Sequence, residues 1–421
     1  MKRITISVVI LLTYLVSVAW AQQRAVMPHV GRDVHPRFSA TTNPSVSAHA
    51  TQAHKVRVYD LGHYRDGTWA EPRGINDFGV LVGVGDIPGG YTRQIGVPLF
   101  GPQAGQWFDL GSFGGEDTTG WIAEGGGVAD TGMIVGSAGT EEGYTHAFAW
   151  TPKLGAKLDL GTLPSDPGSV AIAVNKLGTL VVGLSYNDLA ATAVVWMPEV
   201  VWKHGRLTTT WEIQKLPTGG LEQPGKVFEG VTLDWWGGWA VNDSGQIVGD
   251  AWSDNYDEIA VVWNPLPGGK GWKIKQLPHQ PDHRGAPNYK YTEALDINES
   301  GEIVGDLGWQ GWPTAIPALW ETESPGGKTW SLTVLSTLSG LPQGWNVAWG
   351  INDLADIVGV SNDAEGNWFA ARWSTRDPNL VRVLGLPGTW SEAFKVNNNR
   401  IAAGAYGSDT IQEDVAAVQL R

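Results

Sequence analysis

The sequence predicts an all-β fold, a seven-bladed β-propeller of four-stranded antiparallel blades, closed by pairing of the N-terminal strand into the C-terminal blade. Three observations predict it. One hairpin is written seven times: GINDFGVLVG from Gly74, GVADTGMIVG from Gly127, AVNKLGTLVVG from Ala173, AVNDSGQIVG from Ala240, DINESGEIVG from Asp296, GINDLADIVG from Gly350 and KVNNNRIAAG from Lys395. Most copies are followed by a strand ending in tryptophan and then by a further strand. The two ends of the chain complete one another.

In each copy a short stretch ending in Ile-Asn or Val-Asn runs into a tight turn and then a β-branched run ending in glycine. Asn and Asp tolerate left-handed backbone and bond their own turn, and Gly accepts positive φ, so Asn76-Asp77-Phe78-Gly79 reverses the chain. These are strands a and b. Strand c ends at Trp150, Trp196, Trp263, Trp320 or Trp373, and strand d follows as WFDLG, AKLDLG, WEIQKL, WKIKQL, WSLTVL or VRVLGL. Asn76 and Asn397 are separated by six intervals of about 53 residues, close to the kelch-like period of propeller blades. A linear solenoid is the alternative. Against it, VRVYDLG (from Val56) is a d strand with no strands before it, and the last copy has three strands and no fourth. A ring removes both edges.

At 421 residues the chain has the length of two or three ordinary domains, but a repeat assigns 55–421 to one architecture. The opening MKRITISVVILLTYLVSVAWAQQ has basic Lys2 and Arg3, an apolar run from Ile4 to Val18 and a small-x-small end at Ala19-Trp20-Ala21. It reads as a signal peptide, 1–21, and implies a secreted or periplasmic protein. A transmembrane anchor is disfavoured by the short apolar run and the lack of a second span. Residues 22–54, rich in Ala, Ser, Thr, Pro and His, read as a flexible leader. With no cysteine, disulfides, thiol nucleophiles and cysteine-ligated zinc are excluded. The net charge of −14, without a basic stripe, argues against nucleic acid. The profile of 56 Gly and 23 Trp fits short strands, tight turns and large flat side chains, and a monomer is expected.

The stretch GVADTGMIVGSAGTEEGYTHAFAWTPKLGAKLDLGTLP, Gly127 to Pro164, resembles the extracellular HAF-repeat proteins, in which an Ile-Asn-x-x-Gly-x-Ile-Val-Gly hairpin precedes His-Ala-Phe-x-Trp and Asp-Leu-Gly-Thr-Leu. The resemblance covers nearly all of the chain after the leader, although His146 alone keeps the name-giving histidine. It implies export and repeat architecture and carries no common activity.

Function therefore has to come from the variable b–c and d–a connections, which emerge on one face of a propeller. Seven residues before the repeated Asn stands an aromatic, at Trp69, Trp235, Tyr291, Trp345 and Trp390, with Trp121 one residue out of register. Two residues later Glu71, Glu293 and Glu392 recur, the first and last on blades that become neighbours at closure. One reading is a platform of aromatics and carboxylates suited to sugars or a cation; the other is packing of the aromatics between blades. The c-strand tryptophans read as core. Asp250, Asp254 and Asp257 in GDAWSDNYDE, and Asp363 and Glu365 in SNDAEGN, are candidates for calcium, though neither loop has EF-hand spacing.

The leading expectation is a non-enzymatic binding module for an extracellular glycan or surface protein. A carbohydrate-active hydrolase or lyase using Glu71, Glu293 or Glu392 is the alternative, and a structural or adhesive repeat protein is a third reading.

Overall fold

The computed structural model describes residues 57–420 except 66, 88–90, 116–125, 204–205, 224–231, 254–257, 280–290, 309–314, 323–328, 342–343 and 409–412. The expected signal peptide and leader lie outside the described residues, as do Trp121, Asp254 and Asp257. Every regular element among the described residues is a strand.

The first strand, β1 (Arg57–Gly62), stands apart from the blade that follows it. Blade 1 is β2 (Ala70–Ile75), β3 (Val80–Ile87), β4 (Tyr91–Pro98) and β5 (Phe108–Asp109); blade 2 is β6 (Gly127–Val128), β7 (Ile134–Gly139), β8 (Thr145–Trp150) and β9 (Leu158–Asp159). Blade 3 comprises β10 (Gly168–Val174), β11 (Val181–Asn187), β12 (Ala190–Lys203) and β13 (Arg206–Lys215), and blade 4 β14 (Trp235–Val241), β15 (Ile247–Trp252), β16 (Glu258–Pro265) and β17 (Trp272–Gln276). A single parallel pairing, Ala191 with Trp235, joins these two blades into one eight-stranded sheet. Blade 5 is β18 (Tyr291–Ile297), β19 (Ile303–Gly308), β20 (Ala315–Thr322) and β21 (Trp330–Val334); blade 6 is β22 (Val347–Ile351), β23 (Asp356–Asn362), β24 (Trp368–Ser374) and β25 (Asp377–Val383).

Blade 7 holds β26 (Trp390–Val396), β27 (Ile401–Gly407) and β28 (Asp414–Gln419), and its fourth strand is β1. The pairing is antiparallel, from Arg57 with Gln419 to Gly62 with Val415. Tyr406 adds a hydrogen bond to Asp60 of 2.8 Å. The expected closure is therefore present, and the core follows from it: buried side chains cluster between neighbouring sheets, as where Tyr59, Ala70 and Ile95 meet Ala403 and Val415.

The repeated asparagine has a structural role that explains its recurrence. In blade 6 the Oδ1 of Asn352 accepts the backbone N–H groups of Leu354 and Asp356, holding its own turn, while Nδ2 donates to the carbonyl of Asn397 in the next blade at 2.9 Å. Asn242 and Asn298 make the same reach, and Asn397 donates to Asn76, so the last blade is tied to the first. The next residue adds a second ring of links: Asp77 carboxylate accepts from the N–H of Asn398, Asp130 from Asp77, Glu299 from Asp243 and Asp353 from Glu299. Lys176 reaches from blade 3 to Asp353 in blade 6 and lies among these acids at that end of the central channel.

A β-bulge in strand a recurs three residues before the Asn position, and it re-aims one side chain into the channel. The bulged residues are Arg73, Ile172, Trp239, Leu295, Trp349 and Phe394, all of which line the channel. They fill it enough to leave a space of about 210 Å³. Opposite each bulge strand b carries the glycine that ends the repeated hairpin; a Cβ on Gly305 would stand 1.9 Å from the carbonyl oxygen of Glu293, so no larger residue fits.

The turn glycines Gly79, Gly132, Gly178, Gly245 and Gly301 have φ between 68° and 83°, as the turn chemistry requires. Blades 6 and 7 put Ala355 (φ 70°) and Arg400 (φ 60°) at the same place. A left-handed alanine costs about 1 kcal/mol relative to glycine. Ala355→Gly is therefore expected to stabilise by up to about 1 kcal/mol, read as a raised denaturation midpoint; an unchanged or lower midpoint would contradict the strain.

Candidate functional site

The seam between blades 7 and 1 gathers three carboxylates. Glu71 lies on β2, one pleat before the bulge, and Arg73 at the bulge turns back to bond it at 2.9 Å while lying 5.5 Å from the Phe394 ring. Glu392 occupies the matching place on β26, paired with Ala405. Glu413 precedes β28, and its carbonyl accepts from the N–H of Ala70 at 3.1 Å, so the contact that joins the blades also positions this side chain. Trp69 takes part in the same contact through its backbone.

The three glutamates line a cleft of about 560 Å³, within the range of small-ligand sites. Trp390 and Phe394 flank it from blade 7, and blade 6 contributes Asn367 and Trp368, the latter 45% exposed. The charge is lopsided: three carboxylates face one guanidinium. Burial, and then the neighbouring Glu71, push Glu392 up to about 7. Burial followed by Glu71 and Glu392 pushes Glu413 up to about 8. Arg73 offsets part of both shifts. Near neutrality the cleft thus offers proton-bearing carboxyls beside an arginine-paired one, able to donate and accept hydrogen bonds.

These shifts have a consequence for stability. Each group holds a proton in the folded state that the unfolded chain releases near its ordinary value of 4.5, so the contribution is full below that pH and is lost as pH rises through about 7 to 8. The melting temperature is expected to be higher at pH 5 than at pH 8.5 by roughly 3 °C or more, and the difference should shrink in Glu413→Gln. A wild-type melting temperature that rises over this interval would contradict the assignment.

The other expected site residues divide among different places. Glu293 lies on blade 5, in a separate buried group with Asp250, Glu258 and Asp306. Burial first, and then neighbouring carboxylates, holds Glu258 and Asp306 well above the usual range. Asp363 accepts the backbone N–H groups of Glu365 and Asn367 and so caps its own exposed turn. Among the recurring aromatics, Trp390 lies over Gly407 and Tyr291 over Gly308, each filling the space a cross-strand side chain would take. Trp235 stacks on Trp252 with centroids 6.3 Å apart, and Trp345 tilts against Trp349 at 6.5 Å. Trp390 thus packs across its blade and also lines the cleft.

Glu413 was missed by sequence reasoning, although a signal existed. It stands five residues before Val418, as Glu258 stands five before Trp263, and Val418 and Trp263 hold matching register positions opposite strand b. The last blade lacks the tryptophan that marked the others.

No family model and no curated protein matches this chain. Solved structures do. A puromycin-hydrolyzing peptidase of Mycobacterium tuberculosis superposes with a TM-score of 0.51 at 12% identity, over 84% of this chain and 51% of that one. Trypanosoma rangeli sialidase gives 0.42 at 12% identity over 88% and 60%, and TolB from Acinetobacter baumannii 0.38 at 11% over 70% and 65%. The fold is a seven-bladed β-propeller. This chain spans about half to two thirds of the length of those proteins, and at such identity the likeness concerns the fold alone.

Proposed function

We propose that this protein is an exported propeller that binds a carbohydrate at the cleft between blades 7 and 1. The observation that carries the reading is the pairing of aromatic walls, Trp390 and the exposed Trp368, with a floor of Glu71, Glu392 and Glu413 on the variable-loop face. Aromatic faces stack on the apolar face of a sugar ring, and carboxyls bond its hydroxyls. Because no cation among the described residues lines the cleft and Arg73 is already paired with Glu71, nothing there matches the charge of a uronate or sialate, and the ligand is a neutral or amino sugar. Export rests on the N-terminal segment, and the HAF-repeat resemblance agrees with it.

A glycan array probed with wild-type protein and Trp368→Ala tests this. Neutral or amino-sugar glycans should be retained by wild type and lost at least tenfold in the variant, whose melting temperature stays unchanged because Trp368 is exposed. No retained glycan, or equal retention by the variant, would sink the reading.

A second reading has its own support. Glu413 and Glu392, held proton-bearing near neutrality beside Glu71, supply the acid and base of a carbohydrate-active hydrolase or lyase. New reducing ends or unsaturated products from a bound glycan, abolished in Glu413→Gln, would establish it; unchanged glycan after prolonged incubation would leave binding alone.

A further inference from the structure

Two adjacent blades carry an acid where the others do not. The strand-b position three residues beyond Ile247 or its counterpart is Val84, Ser137, Leu184, Val360 and Ala405 in five blades, but Asp250 in blade 4 and Asp306 in blade 5. Both are buried, with exposures of 0% and 1%. Glu258 at the start of β16 is 7% exposed, and Glu293 on β18 joins them from the neighbouring blade. Burying ionised carboxylates together is costly unless something compensates the charge. None of the ion pairs among the described residues reaches Glu258, Glu293 or Asp306.

Carboxylate oxygens of Asp250, Glu258 and Glu293 lie within 4.8 Å of one another. Oxygens that close can share one hard cation, and a cage made only of protein carboxylates suits calcium, whereas magnesium usually keeps several of its waters. The donors are all oxygen, which suits a hard cation. An independent observation points the same way: Oδ1 of Asp306, in a side chain that faces Glu293, is buried without a hydrogen-bond partner. A buried acceptor left without a donor is the feature a cation satisfies.

We propose that Asp250, Glu258, Glu293 and Asp306 form a calcium site between blades 4 and 5, away from the closure cleft. Tyr291, which donates to Glu293, and Trp239, which donates to Asp250, orient two of the ligands. The ion would tie strand b and the start of strand c of blade 4 to strands a and b of blade 5.

Isothermal titration of chelator-treated full-chain protein with Ca²⁺, and separately with Mg²⁺, tests the proposal. One Ca²⁺ per chain should bind, at least tenfold more tightly than Mg²⁺, and raise the melting temperature. Glu258→Gln fills the same space without the charge and should weaken Ca²⁺ at least tenfold, whereas Asp363→Asn should bind as wild type does. If Glu258→Gln does not fold, Asp306→Asn takes its place, with Tb³⁺ luminescence sensitised through Trp239 as the readout: bright in wild type and dim in the variant. No heat and no thermal shift with millimolar Ca²⁺, or wild-type binding by a folded Glu258→Gln or Asp306→Asn variant, would overturn it.

Discussion

Deleting Arg57–Gly62 is expected to convert the ring into an open arc that melts well below the wild type and aggregates on concentration. The deletion strips β28 of its partner along five paired positions and uncovers Val415, Ala417 and Tyr406. It also removes Tyr59, 7% exposed, from the core between blades 7 and 1. Losing that one side chain alone costs about 3 kcal/mol, and the freed edge offers a row of unpaired backbone groups to other chains. The measurement is a thermal melt with sedimentation of the same sample. A monomer melting like the wild type would mean that closure contributes nothing.

The second large effect lies inside a blade interface. Trp320 is fully buried at the end of β20, and its Nε1 donates to the carbonyl of Pro278 in blade 4 at 2.7 Å. Trp263 reaches Pro217, and Trp373 reaches Ser336, in the same way. Each of these tryptophans fills the core and fastens its blade to the one before. Trp320→Ala should cost about 3–5 kcal/mol through lost burial and the cavity left behind. Trp320→Phe, which keeps a ring and loses the donor, should cost less. Chemical denaturation of both reads the difference; a cost below about 1 kcal/mol for alanine would show that the interface collapses around the gap.

Much of this architecture was legible because local chemistry and global fold coincide. Positive-φ glycines such as Gly245, buried tryptophans such as Trp263, and complementary chain ends each follow from a short stretch read on its own terms. The bulge residues were not legible. Arg73, Ile172, Trp239, Leu295, Trp349 and Phe394 mix a cation with aliphatic and aromatic side chains of the kind strands bury anyway, so no distinct residue pattern marks the place where the strand turns them into the channel. The cleft was half legible. Glu71 and Glu392 recur at one offset and closure makes their blades neighbours, whereas Glu413 enters from strand c of a blade without the marker tryptophan. Likewise Asp250 and Glu293 fall in separate motifs, and only the packing of blade 4 against blade 5 joins them to Glu258.

The claim that the seam between blades 7 and 1 is the ligand site is tested most directly by hydrogen exchange, with and without a saturating concentration of the best-retained glycan. Protection should be confined to the segments that build the cleft, around Glu71, Gly366–Trp368, Thr389–Phe394 and Glu413. Protection centred on other blades, with these four segments unchanged, would contradict the account.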